Sequence, residues 1–315
     1  MRKKLFCLLL CIPILLTGCQ LFRVKDVTTS EKSIILSTGK QGMDRCIKIP
    51  EGNWSEDISE DREQFVISDN VQPESKTGEK MDFRELDKLD NKQYAWWIEL
   101  NKQNQPTTIP KIAQTMIERY HDVYIGDPTK KNVYLTFDEG YENGYTPKIL
   151  DTLKANDVKA LFFVTGPYIK SYGNLVERML EEGHLVGNHT INHLSLPTLS
   201  GGALEKELYG LEKEFTALTG KAFKYIRPPR GEYSEKVLGA ANQLGYTTVF
   251  WSFAYRDFDV NNQKGADHAY KMVMDNLHNG AVILLHAVSS DNAEALDRII
   301  KGIKAQGYTL SLFAL

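Results

Sequence analysis

Cysteine is scarce in this sequence. Of 315 residues only Cys7, Cys11, Cys19 and Cys46 carry a thiol, and the first three crowd into the N-terminal stretch. That excludes a disulfide-stapled scaffold, so the fold has to rest on a buried core. An excess of one charge is also missing. The 38 basic and 41 acidic residues leave a net charge of −3, which gives no reason to expect nucleic acid as a partner. Long apolar runs are absent except at one place, where Leu5 to Leu16 follows the basic start Arg2-Lys3-Lys4. That run is too short for a comfortable membrane span and fits the core of an export signal.

The run ends in Leu16-Thr17-Gly18-Cys19. This resembles the bacterial lipobox, in which the cysteine becomes the lipid-modified first residue of the mature chain. Residues 1–19 therefore read as a lipoprotein-type signal peptide with Cys19 as the lipidation site, and an ordinary secretory signal is the alternative. Either way the rest is exported, and lipidation would hold it on the outer face of the cell membrane. Between Glu51 and Asn91 stand 13 acidic and 5 basic residues with few sustained apolar periods. Residues 20–91 thus read as a polar tether or loosely ordered segment, and residues 92–315 as the main domain. The adjacent Trp96 and Trp97 at its start read as core packing or as lining for a sugar groove, with core packing preferred.

From Asn132 onward strands and helices alternate without a break. Strands are expected at 133–137, 160–165, 184–188, 225–227, 247–252, 281–286 and 308–312. Helices are expected at 146–156, 175–182, 200–220, 234–244, 267–277 and 291–305, with Ser200 and Ser234 as caps and glycines as stops. About seven βα units in this order predict an α/β fold closed as a parallel barrel.

In such a barrel, function gathers at the C-terminal ends of the strands. Asp138 and Glu139 follow the first strand, His189 and His193 the third, Arg227 and Arg230 the fourth, Asp257 the fifth and His286 the sixth. Two imidazoles four residues apart on a helical turn, with a carboxylate from a neighbouring strand end, suit a catalytic metal with open positions for water. The prolines of Arg227-Pro228-Pro229-Arg230 stiffen the loop that carries both guanidiniums, and an Arg beside a carboxylate keeps it ionised. His286 has the intrinsic pKa of a general acid, and Asp257 can orient it. His184 reads as structural, and His121, His268 and His278 as surface residues.

Together these pieces resemble the polysaccharide deacetylase family, carbohydrate esterases with a NodB-type domain. The resemblance spans roughly residues 130–315, with five motifs in order: Thr136–Gly140, His189–His193, Arg227–Gly231, Trp251–Phe258 and Leu284–His286. It implies a distorted (β/α)7 barrel and metal-assisted removal of N-acetyl groups from sugars. It assigns Asp138 as general base, Arg227 as its partner, His286 as general acid paired with Asp257, and Glu139, His189 and His193 as ligands to a divalent metal, zinc. Tyr141–Pro147, Asn261–Gly265 and Ser289–Leu296 are further similar to the peptidoglycan N-acetylmuramic acid deacetylases of spore-forming bacteria. That branch implies peptidoglycan glycan strands as partner, Tyr141 and Arg230 as substrate contacts, and a step toward the muramic-δ-lactam of spore cortex.

The chain departs from the wider family at several points. Glu139 stands where most members have Asp, Ala254 where they have Asp, and Phe258 where they have Trp. Arg230 stands where many have Tyr, and a guanidinium there can pair with the lactyl carboxylate that distinguishes muramic acid from N-acetylglucosamine. Two other functions remain compatible with these residues. One is deacetylation of N-acetylglucosamine in peptidoglycan or chitooligosaccharides, and the other is a catalytically weak, glycan-binding lipoprotein.

Overall fold

A computed structural model describes residues 33–36, 45–48, 85–100 and 104–313. The export signal, Cys19 and much of the expected tether lie outside these residues. The chain divides into two units, 1–67 and 68–315. In the first, β1 (Ser33–Leu36) pairs antiparallel with β2 (Arg45–Lys48).

The second unit contains, in order, β3 (Tyr94–Ala95), α1 (Lys111–Tyr120), β4 (Asn132–Glu139), α2 (Thr146–Ala155), β5 (Leu161–Val164), α3 (Gly166–Glu181), β6 (Leu185–Asn188) and α4 (Gly201–Thr219). Then come β7 (Tyr225–Ile226), β8 (Glu232–Tyr233), α5 (Glu235–Gln243), β9 (Thr247–Thr248), α6 (Ala266–Asp275), β10 (Ala281–His286), α7 (Ser290–Ala305) and β11 (Thr309–Leu310). The caps are local chemistry. Ser200, Ser234 and Ser289 each accept a backbone N–H from the first turn of α4, α5 and α7, and Gly220 closes α4 in the left-handed region.

Six strands run parallel in the order β10-β4-β5-β6-β7-β9, and β11 pairs with the start of β4. Beyond β9 the chain returns to β10: Phe253 bridges Ile283 in parallel, and the Leu284 N–H donates to the Phe253 carbonyl at 2.9 Å. The sheet therefore curls round on itself as a distorted (β/α)7 barrel with helices outside.

The two-residue period of the strands sorts their side chains into two cores. Val133, Leu135 and Phe137 of β4 join Phe162, Val164, Ile226, Ile283 and Leu285 beneath the helices. The intervening positions turn inward, where Leu161, Phe163, Tyr225, Val249 and Val282 fill the barrel. Gly187 is the small member of that inner layer. A Cβ there would lie 2.6 Å from the Phe163 ring and 3.2 Å from the Tyr225 carbonyl oxygen. Gly187→Ala is therefore expected to destabilise the domain by about 1–3 kcal/mol, read as a lower denaturation midpoint. An unchanged midpoint would show that the Phe163 ring yields without cost.

Several details differ from expectation. Packing on this unit begins upstream of residue 92, because Leu86 is buried and Asp87 pairs with Lys236. Helix α3 starts at Gly166, well before 175, and carries a kink at Tyr172. The two-residue β3 pairs antiparallel with β8, a contact too short to leave a periodic signature. His278, expected at the surface, is buried, with its Nε2 2.9 Å from the Ser252 hydroxyl. Across the adjacent tryptophans exposure alternates: Trp96 is 7% exposed and stacks on Phe250 at 4.1 Å, whereas Trp97 is 60% exposed.

Candidate active site

Strand parity decides which of the strand-end residues meet. Asp138 shares the inward parity of Thr136, and the β4–β10 register sets His286 directly beside it. Arg227, one residue past β7, enters the same interior and is fully buried. Its Nη1 donates to Asp138 Oδ1 at 2.7 Å, its Nη2 to the Thr136 hydroxyl at 2.9 Å, and its Nε to the Val249 carbonyl at 2.9 Å. The guanidinium carbon lies 4.3 Å from the centre of the Phe163 ring. All three guanidinium nitrogens thus donate to protein acceptors, with the Phe250 carbonyl a further one at 3.3 Å from Nη2. Burial alone would raise the Asp138 pKa, but the charges of Arg227, His189 and His286 prevail and hold it below the usual carboxylate range.

His189 follows β6. Its Nδ1 donates to the Arg227 carbonyl at 2.7 Å, which leaves Nε2 facing Asp138 Oδ2 at 3.5 Å. His193 reaches the same place by a route other than the expected helical turn. Thr190 and His193 both have left-handed backbone angles, and the loop is tied down by Glu207, which accepts from the backbone and side chain of Asn192. The two imidazole rings end 4.9 Å apart in an edge-on arrangement. Burial, then the neighbouring His189, lowers the pKa of His193 to about 4.

His286 closes the other side. Its Nδ1 lies 2.7 Å from Asp257 Oδ1, and its backbone N–H donates to Asp257 Oδ2 at 2.8 Å. Burial would lower its pKa, but the hydrogen bond and charge of Asp257, with help from Asp138, raise it above the ordinary value. Asn292 completes this arrangement by donating to Asp257 Oδ2 and to the His286 carbonyl. It was not singled out from the sequence, although its place in the first turn after the Ser289 cap was a usable signal. Phe258 lies edge-on to His286 at 5.5 Å and is exposed. Arg230 sits at the rim in a left-handed conformation, and its charge acts on His193. Tyr141 is also exposed, on the loop after β4.

Glu139 is not gathered with these residues. It shares the parity of Phe137 and points outward beneath the helices, where Thr146 donates to its Oε2 at 3.2 Å and its Oε1 is buried without a partner. Burial, and then the nearby Glu142, push its pKa well above the usual carboxylate range. The adjacent acids that looked like one site in the sequence are thus separated by the strand. Among the described residues, no three His, Cys, Asp or Glu side chains are gathered to hold a metal ion. The two neutral imidazoles have suitable donor chemistry, but the expected set of Glu139, His189 and His193 does not fit a metal as the side chains stand.

Residues 125–249 match the family model described as polysaccharide deacetylase. The chain is 46% identical, over 70% of its length and 84% of the relative's, to the peptidoglycan-N-acetylmuramic acid deacetylase PdaA of Bacillus subtilis. It is 36% identical, over 61% of its length and 70% of the relative's, to a peptidoglycan-N-acetylglucosamine deacetylase of Bacillus cereus. The solved structure of B. subtilis PdaA, a family 4 carbohydrate esterase, superposes with a TM-score of 0.69 at 45% identity, covering 71% of this chain and 96% of that one. With its parallel barrel, its strand-end carboxylate and imidazoles and these relatives, the chain belongs to the polysaccharide deacetylase family.

Proposed function

We propose that the protein hydrolyses the N-acetyl group of N-acetylmuramic acid in peptidoglycan glycan strands. The observation that carries this reading is the pairing of a buried, ionised Asp138 with a positively biased His286 on adjacent strands. Their pKa values are pushed apart, which is the division needed between a base and an acid. Asp138, oriented by Arg227, takes a proton from water as the water oxygen attacks the acetamide carbon. The backbone N–H of Arg230 is the proposed donor to the oxyanion. His286, held charged by Asp257, gives its proton to the leaving nitrogen as the C–N bond breaks. The products are acetate and a muramic-acid amine.

Polysaccharide deacetylases are generally metal-dependent. Because Glu139 faces away from the histidines, the steps above use only the groups that the fold brings together. The lactyl carboxylate of muramic acid gives Arg230 a partner that N-acetylglucosamine lacks. That charge match, and the resemblance to PdaA, favour muramic acid. The freed amine is then placed to close on the lactyl carboxylate, a step toward a δ-lactam. Attachment through Cys19, which rests on the Leu16–Cys19 pattern, would hold the enzyme against the membrane that faces this polymer.

Mass spectrometry of stem-peptide-free glycan strands, incubated with the protein with and without chelator, tests the substrate, the reaction and the metal requirement together. A mass loss of one acetyl confined to muramic acid is expected. A loss confined to N-acetylglucosamine, or shared with chitooligosaccharides, would overturn the substrate assignment, and binding without acetate release would overturn the enzyme. The acid role of His286 has its own check. Asp257→Asn removes the charge that raises the His286 pKa, so the alkaline limb of kcat/KM should move down toward 6.5, the ordinary histidine value. The acid limb should stay in place.

A further inference from the structure

We infer that Trp97 forms an additional glycan subsite, stacking on the sugar next along the strand from the one that is deacetylated; this rests on the deacetylase reading above. The segment before α1 is clamped to the rim of the barrel. Tyr94 and Ala95 pair with Tyr233 and Glu232, and the Trp96 N–H donates to the Gly231 carbonyl at 2.7 Å. The contact is tight, since a Cβ on Gly231 would lie 2.9 Å from the Trp96 Cβ and 2.7 Å from the Trp251 ring. Trp96 spends its side chain on the core, with its indole N–H bonded to the Trp251 carbonyl. The next residue of this extended segment turns the other way, so a large flat ring is held at the surface one position beyond the residue bonded to Gly231, the neighbour of Arg230.

No packing role accounts for that exposure, and the alternative of a wholly buried tryptophan pair is excluded by the alternation. The surroundings identify the occupant. Tyr141, Leu194 and Phe258 are exposed on the strand-end loops, and the antiparallel register of Tyr94–Trp96 with Gly231–Tyr233, continued by one residue, sets Trp97 opposite Arg230. Sugar rings present flat C–H faces that suit indole, while Arg230 suits the carboxylate of a muramic residue. Arg230, whose charge acts on His193, thus links the catalytic residues to Trp97, and an aromatic platform one step beyond it suits a polymer rather than an isolated sugar.

The test compares Trp97→Ala, Trp97→Phe and the unmodified protein on glycan strands of several disaccharides and on the N-acetylmuramic acid monosaccharide. Trp97→Ala should raise KM for the long strands about five- to tenfold, leave kcat unchanged, and leave KM for the monosaccharide unchanged. Trp97→Phe should restore most of the loss. Direct binding of long strands, followed by calorimetry, should weaken by the same factor. Equal KM values for long strands in Trp97→Ala and the unmodified protein, or a rise that is the same for both substrates, would overturn the subsite. If the unmodified protein binds strands but releases no acetate, the deacetylase reading fails, and the binding comparison still decides whether Trp97 contacts glycan.

Discussion

Replacement of Asp138 by Asn is expected to reduce acetate release from muramyl glycans by about 10²–10⁴-fold, the range supplied by a positioned general base. The substitution keeps the size and shape of the side chain. An amide oxygen can still accept the Arg227 Nη1–H now bonded at 2.7 Å, so the guanidinium keeps its partner and the barrel its filling. What disappears is the anionic oxygen that takes the proton from water. The effect should fall on kcat, with KM for glycan strands near that of the unmodified protein, while the denaturation midpoint drops moderately because the buried guanidinium keeps an acceptor but loses its counter-charge. Acetate assays and a denaturation curve on the same preparation separate the outcomes. Near-normal turnover would remove Asp138 from the base role. Lost turnover with a collapsed midpoint would mean that the carboxylate serves the fold.

The position of Asp138 can be read from the chain. Asp138, Arg227, His189 and His286 all stand at or just past the ends of strands with near-continuous apolar character, and the structure brings them into contact because successive parallel strands place their ends together. The barrel order was legible for the same reason, since each strand is followed by a helix with its own cap and stop. Glu139 shows what went unread. Its parity with Phe137 was visible in the sequence, yet two adjacent acids suggested one shared site. A strand sends neighbours to opposite faces, and this one sends Glu139 to Thr146. The same period separates Trp96 from Trp97. Loop residues are a different matter. The left-handed conformations of Thr190, His193 and Arg230 have no glycine to announce them. They depend on distant partners such as Glu207, whose contact with Asn192 no local pattern encodes. The β3–β8 pairing is similarly a tertiary event, two residues long.

Arg227→Met should destabilise the protein by about 3–5 kcal/mol, the cost of leaving one member of a buried ion pair alone. Methionine approximates the aliphatic stem but supplies none of the donors that now reach Asp138, Thr136 and the Val249 carbonyl. Asp138 would remain largely buried without its counter-charge, and its pKa should swing from below the carboxylate range to above it. The pH dependence then reverses. In the unmodified protein the Asp138 pKa is depressed, so its stabilising contribution is present above the unfolded value and is lost as pH falls through the folded one. In Arg227→Met the unpaired carboxylate destabilises most where it is ionised, near neutrality, and acidification relieves it. The stability gap between the two proteins should therefore narrow as pH is lowered from neutrality toward the ordinary aspartate value of 3.8. Combining Arg227→Met with Asp138→Asn should recover part of the loss at neutral pH, because a neutral amide is cheaper to bury than a lone charge. Denaturant melts of the two single variants and the double variant at two pH values close the cycle. Additive losses with no pH dependence would show that the pair contributes packing alone, and that Arg227 does not hold Asp138 ionised for the reaction.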